Sequence, residues 1–134
     1  MRDLILTPVK QDKPMVKKIF GAAHVPLSPA VRAGDFVFVS GQVPVRDGKI
    51  VAGGVIEQTH AVMENIASAL QLAGCAMTDV VKTFAILSDA KDFDAFNQAY
   101  AAWFPSEPPA RTTVEAKLMI DIAVEIEVVA YRPL

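Results

Sequence analysis

Apolar residues recur along this chain at two spacings, and the switches between them outline its elements. From Val55 to Ala73 the period is helical. Ile56, Thr59, Val62, Met63, Ile66, Ala69, Leu70 and Ala73 follow one another at three- and four-residue steps, and Gly74 supplies the stop. A second helix, capped by Ser88 or Asp89, carries Phe93, Phe96, Tyr100 and Trp103, with Pro105 just beyond its end. These four rings at helical spacing read as core rather than as a stacking platform. Elsewhere the pattern is that of strands. Met15–Phe20 is a short strand-like piece, and Gly21–Pro29, with two prolines, is an extended loop. Ala30-Val31-Arg32 and Phe36–Ser40 flank Ala33-Gly34-Asp35, which has the size and glycine content of a hairpin turn. Gly41 directly follows an apolar strand, a place for a bulge or a close approach to the backbone. Asp47-Gly48 is a further turn before Lys49-Ile50-Val51, and Val80–Leu87 is a strand. Two final strands, at about 112–119 and 122–131, close the chain with a turn near Asp121. This order predicts an α+β domain with one largely antiparallel sheet and both helices on one face.

At 134 residues the chain makes one domain, 15–134, preceded by a polar lead-in over residues 1–14. A composition of 52% hydrophobic and 21% charged residues lies toward the apolar end for a soluble protein. Part of that excess is expected to cover a subunit interface. A net charge of -2 and a pI near 5.6, with scattered lysines and arginines, argue against nucleic acid as a partner. The first six residues have too short an apolar core for a signal peptide, and no stretch approaches the ~20 apolar residues of a membrane span. The single cysteine, Cys75, excludes an internal disulfide framework. A soluble, cytoplasmic protein without a membrane partner is the expectation.

The candidate chemistry lies near the C-terminus. Arg111 opens the strand in Pro108–Glu115, and a second apolar strand, Ala123–Ala130, follows closely and carries Glu125. A guanidinium is a rigid planar fork that grips a carboxylate through two parallel hydrogen bonds. A glutamate on a mostly apolar strand tends to have a raised pKa and can move protons or orient water. The pair points to a small carboxylate-bearing substrate. Read blandly, Arg111 is a surface residue pairing with Glu115 or Glu127, and Glu125 alternates toward solvent between Val124 and Ile126. Spacing alone leaves open whether the two share a face within one subunit or meet across an interface. With only His24, His60 and Cys75 available, no metal constellation forms, and no cofactor is expected. Ser40 has no His or Lys placed to activate it as a nucleophile. Gly53-Gly54 lacks any phosphate-loop context.

Ordered stretches through residues 15–131 resemble the RidA family, also called YjgF or L-PSP. They are Ala30–Pro44; Gln58-Thr59 with Asn65-Ile66; Ala73-Gly74; Asp79–Thr83; Asp92-Phe93 with Phe96-Asn97; Pro109–Val114; and Val124–Glu127. The resemblance implies a chorismate-mutase-like fold assembling as a homotrimer, with sites in clefts between subunits. It also implies hydrolysis of reactive enamines and imines to 2-oxo acids and ammonium. Arg111 falls on the family's substrate-carboxylate residue and Glu125 on its acidic water- or proton-handling residue. Ser40 and Gly41 match the pocket-lining segment, and Asn97 another pocket position. Two departures stand out. Leu27 follows Pro26 where the family usually has an aromatic, commonly Tyr, and Thr113 replaces a cysteine that several members carry. Leu27, among the substrate-binding positions, cannot donate a phenolic hydrogen bond, and Thr113 excludes thiol chemistry. A trimer that senses a keto acid without turnover is the alternative function. Ribonuclease activity, suggested by an older family name, is disfavoured by the acidic pI and the lack of a histidine pair.

Overall fold

The computed structural model describes residues 17–134, and strand β1, Lys17–Phe20, is the first element within them. The lead-in over residues 1–14 and the expected strand start at Met15 lie outside the described residues. Strands β2 (Ala30–Ala33) and β3 (Phe36–Gln42) form the expected hairpin, pairing Ala33 with Phe36 across Gly34-Asp35. Strands β4 (Val45–Arg46) and β5 (Lys49–Ile50) make a small separate hairpin around Asp47-Gly48. Helix α1 follows over Val55–Leu72. Glu57 accepts the Gly54 backbone N–H at 2.9 Å at its start. At its end Gly74 takes a left-handed φ of 78°, letting Cys75 N–H reach Leu70 O at 2.8 Å. The periodic residues face inward as expected, except Ile56, which is 40% exposed.

Strand β6 (Val80–Leu87) leads through a 3-10 turn, Ala90–Asp92, into helix α2 (Phe93–Ala101). Asp89 caps this 3-10 turn, its carboxylate accepting Lys91 N–H at 2.8 Å, rather than α2 itself, which starts from Asp92 without a side-chain cap because the turn intervenes. Trp103 lies past the helix end, its backbone N–H bonded to Tyr100 O. The chain closes with β7 (Ala110–Glu115) and β8 (Val124–Tyr131).

The six-stranded sheet has the order β1-β2-β3-β8-β6-β7. All its pairs are antiparallel except β6 with β7. The last two strands are therefore not neighbours, as a closing hairpin would have made them, because β6 lies between. The physical reason is the helix: a strand–helix–strand crossover returns the chain parallel to its start, so α2 delivers β7 alongside β6. Val124, Ile126, Val128 and Ala130 of β8 join Val37, Val39, Ala85 and Leu87 beneath Val62, Met63, Ile66 and Leu70 of α1 and Phe96 and Tyr100 of α2. Both helices therefore cover one face of an α+β domain. The opposite face is bare and apolar: Ile19, Val31, Phe36, Phe38, Val129 and Tyr131 lie along it, with Phe38 48% and Phe36 43% exposed. No helix among the described residues is long and apolar enough to cross a membrane.

Candidate active site

Strand register decides where each candidate side chain points. Arg111 pairs with Thr83 across β7 and β6, and Thr83 is fully buried beneath the helices. Arg111 therefore belongs to the helix face. Its guanidinium carbon lies 4.7 Å from the ring centre of Tyr100, 5.2 Å from Phe96 and 5.7 Å from Phe93. A guanidinium is attracted to aromatic faces electrostatically and stacks on them. Phe96 and Tyr100 are thus core and arginine platform at once, a second role that their helical spacing did not reveal, whereas Phe93, at the exposed start of α2, lies outside the core and belongs to the platform alone. The surface-pair alternative fails for this residue. Among the described residues Arg111 makes no ion pair or side-chain hydrogen bond, and Glu115 instead accepts Ala90 N–H at 2.8 Å.

Glu125 pairs with Ile86 of β6. Ile86 is three residues from Thr83, and successive strand side chains alternate, so Glu125 and Arg111 lie on opposite faces of the sheet. Within one protomer they cannot meet. Glu125 sits instead against the bulge in β3, where pairing to β8 slips between Val39 and Gln42. A Cβ built on Gly41 would meet Glu125 Oε2 at 2.5 Å, so only glycine leaves room for the carboxylate in this position. Burial raises the Glu125 carboxyl above the ordinary glutamate range, and the charge of nearby Glu127 adds to the effect. Among the described residues its carboxylate accepts no side-chain or backbone hydrogen bond that would favour the anion.

Ser40, beside Gly41, spends its hydroxyl on Ser28 O at 2.6 Å, and its backbone N–H on Pro29 O at 3.0 Å. Its part is to fasten the loop bearing Leu27, which is 48% exposed, to the bulge. Asn97 lies on α2, one residue after Phe96, and its Oδ1 is buried without a partner among the described residues. The same is true of Thr113 Oγ1, two residues along β7 on the face of Arg111. Thr113, Phe93, Leu87, Ala90, Val114 and Glu115 line a cleft of about 250 Å³. The candidates therefore fall into two groups. Arg111 and Asn97 belong to the β7–α2 side, whereas Glu125, Gly41, Ser40 and the Leu27 loop belong to the bare side. Sequence reasoning missed Tyr100 as a neighbour of Arg111. The available signal was the β6–α2–β7 order, which sets the helix against the strand that follows it.

The sequence model of the family described as "Endoribonuclease L-PSP" matches residues 18–132. A RutC family protein of Pyrococcus horikoshii is 42% identical over 110 residues, covering 80% of this chain and 87% of the relative. A mouse protein named 2-iminobutanoate/2-iminopropanoate deaminase is 38% identical over 114 residues, 83% of this chain and 84% of its own. Among solved structures, Escherichia coli TdcF with bound serine superposes with a TM-score of 0.82 at 32% identity, covering 87% of this chain and 99% of that one.

Proposed function

Because this chain belongs to the RidA/YjgF/L-PSP family, we propose that it hydrolyses enamine and imine derivatives of small carboxylic acids to 2-oxo acids and ammonium. The observation that carries the reading is Arg111: a half-buried guanidinium with no acidic partner among the described residues, held on three ring faces. A cation in that setting has its N–H donors available for a carboxylate, gripped fork to fork. An enamine first takes a proton at carbon and becomes the imine, which is already electrophilic. Water then adds at the imine carbon, the nitrogen is protonated, and ammonia leaves as the carbonyl forms. Glu125, its carboxyl lifted above the ordinary glutamate range by burial, can hold or release a proton and orient that water, a contribution of roughly 10²–10⁴-fold.

Since Arg111 and Glu125 face opposite ways, one site takes the arginine of one protomer and the glutamate of its neighbour. The bare apolar face, with Phe36 and Phe38 uncovered, supports such an assembly, and we assign it as a homotrimer acting in the cytoplasm. The deaminase name borne by the mouse relative agrees with the chemistry.

The test generates 2-iminobutanoate in situ with a dehydratase and follows 2-oxobutanoate release with and without the protein. Acceleration is expected. Arg111→Ala should reduce it roughly 10²-fold or more, since two charge-assisted hydrogen bonds at ~1.5–3 kcal/mol each are lost. An undiminished rate in that variant refutes the clamp. Keto-acid binding without acceleration by the native protein would select a sensing role instead.

A further inference from the structure

We infer that Tyr100 is a positioning residue, whose ring face sets the plane of the Arg111 guanidinium and keeps its hydrogen-bond donors available for the substrate carboxylate. The inference rests on the reading of Arg111 as the carboxylate clamp and adds a residue to it. Three observations carry it. First, of the three rings around Arg111, Tyr100 is nearest, at 4.7 Å, and only 6% exposed, whereas Phe93 is 44% exposed. Second, Tyr100 is itself fixed. Its hydroxyl shares a hydrogen bond of 2.8 Å with Thr83 Oγ1, directly opposite Arg111 in the sheet, and its ring packs 5.4 Å from Phe96 and 4.9 Å from Phe104. Third, the one carboxylate farther along the same face of β7, Glu115, is engaged at Ala90 N–H.

A free arginine side chain has several rotatable bonds and must be ordered each time it binds. A ring face restrains the guanidinium plane and takes none of its in-plane donors, so that ordering is complete before substrate arrives. Burial lifts the Tyr100 phenol above its ordinary range despite the opposing effects of the Thr83 hydrogen bond and Arg111, so the hydroxyl stays neutral and the bond to Thr83 persists at working pH.

The test compares Tyr100→Leu, which removes the π face, with Tyr100→Phe, which keeps it. In steady-state deamination of 2-iminobutanoate by the full chain, Tyr100→Leu should raise KM roughly 5- to 30-fold, the loss of a desolvated cation–π contact, and leave kcat within about threefold. Tyr100→Phe should keep KM within about threefold of native. A merely structural role would instead lower the active fraction, reducing apparent kcat without moving KM. In ¹⁵N relaxation the Arg111 Nε order parameter should fall in Tyr100→Leu and be retained in Tyr100→Phe. Should Tyr100→Leu fail to fold, Tyr100→Met gives the same readouts with a larger, more adaptable side chain that still lacks a π face. Unchanged KM together with an unchanged Nε order parameter in the folded variant overturns the inference. The failure of the underlying reading is separate, because Arg111→Ala would then leave KM and kcat at native values, whatever Tyr100 does.

Discussion

The clearance between Gly41 and Glu125 converts a geometric fact into a separable prediction. In Gly41→Ala the new methyl would lie 2.5 Å from Glu125 Oε2, 3.1 Å from Cδ and 3.3 Å from Cγ. Restoring ordinary contact at 3.4 Å moves the carboxylate by about 0.9 Å. The atom that yields is the far end of a flexible side chain, so the fold absorbs the change. Forcing Glu125 off its rotamer costs roughly 0.5–1.5 kcal/mol. Replacing glycine at a compatible backbone position returns about 0.4–1 kcal/mol by restricting the unfolded chain. These nearly cancel, so Tm should shift by less than about 5 °C. Catalysis does not share that tolerance: a misplacement of about 1 Å can cost ~10²-fold. We expect kcat/KM for 2-iminobutanoate to fall roughly 10- to 100-fold in Gly41→Ala, read as 2-oxobutanoate release. If the methyl acts through the carboxylate, it should add nothing in a Glu125→Ala background. Native activity in Gly41→Ala, or a further loss in the double variant equal to that in the single one, refutes the reasoning.

Two other outcomes follow from the same geometry. Burial penalises the Glu125 anion, so its folded pKa exceeds the unfolded value of about 4.3, and its contribution to stability is complete below that value and lost as pH rises through the folded pKa. Glu125→Gln should therefore raise Tm relative to native at pH 7.5, with the gain disappearing near pH 4, while turnover falls. A scan showing the advantage at pH 4 instead would contradict the sign. Phe38→Asp removes an exposed ring, worth roughly 1.5–3 kcal/mol on burial, and places a charge on the bare face. Analytical ultracentrifugation should show a lone protomer in place of the proposed trimer, and the proposed deaminase activity should be lost in parallel.

Local chemistry explains which features were legible beforehand. The period of α1 and the left-handed Gly74 at its end are written in adjacent residues, as is the hairpin turn at Gly34, although Ala33, read as part of that turn, pairs with Phe36. Gly41 also announced itself as a bulge or close approach and is both, although nothing nearby named Glu125 as the approaching group. Strand partners were a different matter. Alternation in 122–131 tells which side chains share a face, not which strand lies alongside, so the separation of β7 from β8 by β6 was hidden. The same limit concealed the opposite facing of Arg111 and Glu125. Phe93, Phe96 and Tyr100 looked like core because a ring that packs inward and a ring that carries a guanidinium have the same helical spacing.

The partitioning of Arg111 and Glu125 by one sheet also bears on inheritance. Under the proposed shared site, a protomer laid out this way would own no reaction centre; it would lend a cation to one neighbour and an acid to another. Two alleles, one lacking the cation and one lacking the acid, would each be null alone yet could rescue each other when co-expressed, since mixed rings rebuild some intact centres from undamaged halves.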